Sequence, residues 1–177
     1  AMVLMLTLFF TGYVTLERAD SRIITQQSAR KLLGILTREL TESSPTRVDM
    51  SVPHQIAFTI PITALTGINA GRMFDAQENM IFGARSLPTL VSDGYDDAQI
   101  CYMLVPAGRN NHLVRRVIDA AGAPLAGTED RVIATDVETI SYALTGQVVS
   151  ITYSIVKTDR QNVLTRFSGT VGVLLRN

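Results

Sequence analysis

Net charge, thiols and histidines are what this chain of 177 residues has least of. Sixteen basic and sixteen acidic side chains cancel, and no block of like charge occurs. Electrostatic binding to nucleic acid or to an anionic lipid surface needs a clustered positive field, so neither has support here. The single cysteine, Cys101, excludes an internal disulfide and a zinc cluster built on thiolates, which leaves the fold to rely on packing. Only two histidines are present, His54 and His112, and there is no HExxH, GxSxG or phosphate-loop pattern. No enzymatic activity, cofactor or small-molecule substrate is expected. Wholesale disorder is excluded by an apolar content of 46%.

What the chain does have is an uncharged N-terminal run, AMVLMLTLFFTGYV, that continues without a break into amphipathic sequence as far as Pro45. Fourteen such residues fall short of the roughly 20 that cross a bilayer as a helix. A signal peptide would place basic residues before the run and a small-residue cleavage site after it, and neither is present. Ala1 therefore reads as mid-helix, with further residues expected upstream. Beyond Val14, residues Ala29, Leu32, Leu33, Leu36 and Leu40 recur at helical spacing as a stripe for packing on a sheet, while Arg30, Lys31, Arg38, Glu39 and Glu42 fall elsewhere. Arg38 and Glu42 are four apart and are expected to pair across one turn. Ser43, Ser44 and Pro45 supply the stop. A helix from Ala1 to about Ser44 would be about 60 Å long, more than one small domain can bury. Residues 1–24 are thus expected to project and residues 25–177 to form the folded domain. Gly12 and Gly34 each weaken such a helix and suit close helix packing, with a local bend as the alternative.

After Pro45 the periodicity changes from helical to alternating. Residues 55–60 (QIAFTI) predict a short strand closed by Pro61, and residues 63–97, rich in Gly, Asn, Asp and Ser, predict a variable loop suited to partner contact. Residues 100–105 (ICYMLV) are apolar on both faces and predict a central strand. Gly108 to Asn111 is turn chemistry, and HLVRRVID returns as its hairpin partner. RVIATDVETISYAL leads to a turn at Thr145-Gly146. Val149, Ile151, Tyr153 and Ile155 then alternate with polar residues. A turn at 158–162 (TDRQN) precedes a last strand carrying Phe167, Val171, Val173 and Leu175. Consecutive hairpins imply an antiparallel meander, and the only long amphipathic element that can cover its apolar face is the N-terminal helix. The expected fold class is α+β, a long N-terminal helix packed on an antiparallel β-sheet.

This layout resembles the type IV pilin-like, prepilin-type proteins, in particular a minor pilin or a type II secretion minor pseudopilin of the W or J type. AMVLMLTLFFTGYV is similar to the segment immediately after the family's GFTLIELLVA-like stretch, ARKLLGILTRELTESSPTRVD to its exit from the long helix, and ICYMLVP, HLVRRVID, VIATDVETISYAL and TVGVLLRN to its strand order. The resemblance implies a non-enzymatic structural subunit. It would be anchored single-pass in the bacterial inner membrane with a periplasmic domain, then incorporated near the tip of a filament. Met2, Val3, Leu4, Met5, Leu6, Leu8, Phe9, Phe10 and Val14 would contact lipid first and other pilin or pseudopilin subunits afterwards. The family's leader, and the glutamate near its mature N-terminus, are expected upstream of Ala1, because Glu17 is the first acid here. N-methylation of the mature terminus is a family property with no matching residue in this chain. The alternative reading is a membrane-anchored periplasmic binding or adhesive domain.

The remaining candidates have bland readings beside the functional ones. Cys101 lies within the doubly apolar strand and reads as a small buried hydrophobe. His54 and His112 read as exposed turn residues. Asp93, Asp96 and Asp97 around Gly94 offer hard oxygen ligands to calcium, but their spacing is not that of the helix-loop-helix calcium site, so a solvated turn is expected. Arg115 and Arg116 are neighbours on a strand, so at most one of them is buried.

Overall fold

A computed structural model describes residues 2–85, 93–158 and 164–176, with side chains described at all of these except 2–10, 17 and 18. Helix α1 (Met2–Leu40) runs without interruption for 39 residues, about 58 Å at 1.5 Å per residue. It ends four residues before the position expected from sequence, because Glu42 and Ser43 donate their amides to Glu39 and Leu40 three residues back, tightening the last turn ahead of Pro45. A short 3₁₀ turn (Pro45–Arg47) then leads into β1 (Val48–Asp49) and β2 (Gln55–Phe58).

The main sheet is a seven-stranded meander in the order β1, β2, β7 (Gln99–Ala107), β8 (Asn110–Ile118), β9 (Arg131–Thr145), β10 (Val148–Thr158) and β11 (Leu164–Leu174). Every pairing in it is antiparallel. The β7–β8 hairpin turns on two residues, and Gly108 supplies the left-handed φ of 69° that the tight turn requires. The β9–β10 turn falls on Gly146-Gln147, one residue later than expected, since Thr145 already pairs with Val148. The expected turn at 158–162 lies, apart from Thr158, outside the described residues. The meander is not flat. Asp136 in β9 takes a φ of 60°, and the β8–β9 register shifts twice between Asn111 and Val114. Bulges of this kind bend a sheet. His54, at the start of β2, consequently reaches the backbone carbonyl of Ile140 in β9 with its Nδ1 at 2.7 Å, although two strands separate them in the sheet order.

Residues 60–97 depart from expectation. The single strand predicted over 55–60 breaks at Thr59, and the supposed loop builds a second, four-stranded sheet in the order β3 (Ile60–Pro61), β5 (Phe82–Ala84), β6 (Asp93–Asp96), β4 (Thr63–Ala64). Strands of two to four residues are shorter than the windows over which alternation is detectable. Glycine serves contact here rather than a turn: a Cβ on Gly94 would lie 2.3 Å from the Ala84 carbonyl oxygen, so only glycine lets β5 and β6 pair at this point.

One core joins all layers. Leu32, Leu36 and Leu40 of α1 are fully buried against Ile56, Phe58, Ile100, Tyr102, Leu113, Ile140 and Ile151 of the main sheet and Ile60 and Ile62 beside the small one. The opposite face of β7 places Cys101 with Ala57 and Ile118 in a second, smaller cluster. The end of the chain returns to the end of the helix, where Arg176 donates its amide to the Ser43 carbonyl at 2.8 Å and Leu175 is buried.

Candidate functional site: the projecting helix and its anchor

Helix α1 divides by environment. From Thr11 to Asp20 no described side chain is buried, and Tyr13 and Leu16 are 46% and 67% exposed. From Ser21 onward one face is covered: Ser21, Thr25, Ala29, Leu32, Leu36, Glu39 and Leu40 are all buried. The seam thus begins four residues upstream of the expected boundary at 25. It starts with small residues at one-turn spacing, and the helix packs on β11, β9 and β10. The Thr25 hydroxyl, buried in the seam, donates to the Ser21 carbonyl one turn back, so its polar atom is satisfied. Of the expected packing residues, Ala29, Leu32, Leu36 and Leu40 are buried, and Leu33 is half-buried against the same core. Val14 is half-buried, and the side chains of Met2, Val3, Leu4, Met5, Leu6, Leu8, Phe9 and Phe10 lie outside the described ones. Gly12 and Gly34 have no neighbour within 4 Å of a notional Cβ, so neither marks a close contact within the chain.

Glu39 corrects the helix assignment. Expected away from the packed stripe, it is buried within it, and its carboxylate is the centre of a polar anchor. Arg115 of β8 donates Nε to Oε2 at 3.0 Å and Nη2 to Oε1 at 2.9 Å, and Tyr102 of β7 donates its hydroxyl to Oε2 at 2.7 Å. This is the two-pronged guanidinium–carboxylate geometry, with a third donor on a remaining lone pair. Tyr102 and Arg115 are register partners in the β7–β8 ladder, so both project to the helix side of the sheet. Burial first, and then the adjacent Glu39 charge, push the Tyr102 phenol well above its ordinary value, which keeps it protonated as a donor. Phe58 stacks beside it with ring centroids 6.2 Å apart.

The anchor extends to the small sheet. Arg115 also donates to the Arg85 carbonyl, and Arg85 donates Nη2 to Glu42 Oε2 at 2.9 Å and to the Pro61 carbonyl at 3.4 Å. Glu42 therefore pairs with Arg85 rather than, as expected, with Arg38 across one turn, because the small sheet brings a guanidinium to the end of the helix. Arg116 points the other way, to Asp130 on the outside, as the alternation of a strand requires.

The other candidates separate in space. Residues 93–96 form strand β6 rather than a solvated turn, with Gly94 buried, and alternation sends Asp93 and Asp96 to opposite faces. Among the described residues no group of three His, Cys, Asp or Glu side chains is placed to hold a metal ion, Asp93, Asp96 and Asp97 included. Burial pushes the Cys101 thiol up to about 11, the reverse of the shift that makes a thiolate nucleophile. His54 is an exposed turn residue, whereas His112 lies half-buried within β8 rather than in the turn before it. No helix among the described residues is long and apolar enough to cross a membrane. The chain matches no family model, and comparison with curated proteins and with solved structures finds no match.

Proposed function

We propose that this protein is a non-enzymatic structural subunit of a type IV pilin-like filament, a minor pilin or a type II secretion minor pseudopilin near the filament tip. The observation that carries the reading is the division of α1: one end is locked into the sheet by apolar and ionic contacts, while the stretch 11–20 is helical and its described side chains are exposed except for the half-buried Val14. An isolated helix in water draws little stability from its own hydrogen bonds, so a projecting helix with exposed Tyr13, Leu16, Ile23 and Ile24 is suited to burial against something else. In the proposed cycle that surface is lipid in the inner membrane before assembly and other subunits' helices afterwards. Apolar burial favours each step. The domain beyond Ser21 stays periplasmic. Support for membrane anchoring is the apolar run 1–14 together with the family resemblance.

The test is a truncation. A chain starting at Ala19 keeps every helix residue that is buried among the described ones and is expected to fold, yet to fail to restore piliation or secretion in a strain lacking the native subunit. Full restoration by the truncated protein would overturn the filament reading. One observation favours the alternative of an adhesive or binding domain: residues 65–80 expose Leu65, Ile68, Met73, Phe74 and Met80, with Ile68 94% exposed. Under that reading, polar replacements in residues 65–80 abolish activity and the truncation, if secreted, does not.

A further inference from the structure

The two edges of the main sheet are unlike. At one, β1 is only two residues long, and a very short strand is one way natural sheets blunt an edge. At the other, β11 runs for eleven residues in unbroken register with β10, without a proline or a bulge to protect it. Its one charge, Arg166, is paired with Glu138. The ladder fixes which backbone groups face outward. Leu175 donates its amide to the Gln147 carbonyl, so residue 175 and every second residue before it turn their amides and carbonyls toward β10. Leu164, Arg166, Ser168, Thr170, Gly172 and Leu174 therefore turn theirs to the open edge, where no described residue receives them. All six are exposed. At Gly172, which has no side chain, that exposure is of the backbone itself.

An open edge of this length is a template for one more strand, and the residues along it select that strand. When β11 is laid antiparallel on the β11 of a second copy, with a two-fold axis at Gly169, all eleven residues overlap. Each outward residue then meets an outward one: Leu164 lies opposite the partner's Leu174, Arg166 opposite the partner's Gly172, and Ser168 opposite the partner's Thr170. Every such pair is of the kind that exchanges two backbone hydrogen bonds. Leu164 and Leu174 are 65% and 63% exposed, and this register covers both at once by cross-strand apolar contact. Charge is compatible as well. Arg166 faces a glycine, and the two copies of Arg166 are offset by about 20 Å along the strands, beyond the range of strong repulsion in physiological salt. We propose that β11 is the docking edge for a second copy of this chain, which joins two meanders into one continuous sheet. The inference does not rest on the filament reading, because β11 belongs to the folded domain.

Sedimentation equilibrium of the full-length chain in a mild detergent, which occupies the apolar N-terminal run, reads the mass directly. It is expected to rise from one copy toward two as the concentration passes about 10 μM, the weak end for interfaces of ordinary size. Thr170→Pro removes an outward amide and leaves the β10 ladder intact. Through the two-fold axis it deletes two hydrogen bonds, so it should weaken association at least about tenfold while the circular dichroism stays that of wild type. The register has its own test, at exposed positions that leave the core untouched. A chain carrying Leu164→Lys with Leu174→Lys sets like charges opposite one another across the axis, and so does one carrying Leu164→Glu with Leu174→Glu. Each alone should stay single, and an equimolar mixture should pair. The mixture decides the matter even if Thr170→Pro fails to fold. The proposal is overturned if the wild-type mass stays at one copy tenfold above the expected concentration. It is overturned equally if association survives a folded Thr170→Pro, which assigns it to the N-terminal helix, or if the two charged chains pair no better mixed than alone.

Discussion

Glu39→Gln removes one charge from the helix–sheet anchor with almost no change in shape, and its cost is set by the group left without a partner. Arg115 is 3% exposed, and among the described residues the Glu39 carboxylate is its only counter-ion. With glutamine in place, a positive charge remains buried without compensation, and Tyr102 donates to a neutral oxygen instead of a charged one. Breaking a buried pair by neutralising one partner costs about 3–5 kcal/mol; because the amide still offers one acceptor, the lower figure of about 3 kcal/mol applies. For a chain of this size that is a fall in Tm of roughly 6–12 °C, to be read by circular dichroism on the full-length protein. The double variant Glu39→Met with Arg115→Met removes both charges while keeping volume, and it should recover most of the loss, since buried ion pairs are often no more stabilising than the apolar residues that replace them. A Glu39→Gln protein within about 1 kcal/mol of wild type would show that Arg115 finds other compensation. A double variant as unstable as the single would show that the cost lies in packing and not in charge.

Three further outcomes are expected. Leu36→Asp places a carboxylate where the side chain is 0% exposed, so it should cost at least about 4 kcal/mol and unfold the domain or release the helix; retained thermal stability would mean that the packed face is assigned wrongly. Asp130 and Glu138 sit below the ordinary carboxylate value, held there first by hydrogen bonds from Arg116 and Arg166 respectively. A depressed carboxyl stabilises fully above its unfolded value and loses that contribution as pH falls through its folded one. Tm should therefore decline below about pH 4, and Asp130→Asn should flatten part of that slope while costing under about 1 kcal/mol at neutral pH, because the pair is largely exposed. Cys101 should resist alkylation at pH 8 in the folded protein and react promptly in denaturant, since its thiol is buried and titrates near 11; equal rates in both states would contradict its placement.

The long helix, its packed leucines and the antiparallel meander were legible because each is a local, periodic signal: a spacing of three and four for Leu32, Leu36 and Leu40, a spacing of two for Val149, Ile151, Tyr153 and Ile155. The continuity of the helix was legible too, since its sequence runs without a breaker to Pro45. Sequence did not reveal which charges are inside. Glu39 stands three residues after Leu36, so its position pointed inward while its residue type argued outward. What decides between them is Arg115, 76 residues away along the chain, and no periodicity carries that information. The same holds for Glu42, whose partner is Arg85 of the small sheet rather than Arg38 one turn back. The small sheet itself was invisible because its strands are two to four residues long and draw their pairing from contacts such as Gly94 on Ala84. The contact of His54 with the Ile140 carbonyl likewise joins residues 86 apart in the chain, which no local pattern announces. Sequence by itself determined the long elements and their apolar faces, since those arise from short-range periodicity. Tertiary structure alone decided which polar groups meet, because a buried ion pair is a relation between distant residues that only the folded chain brings together.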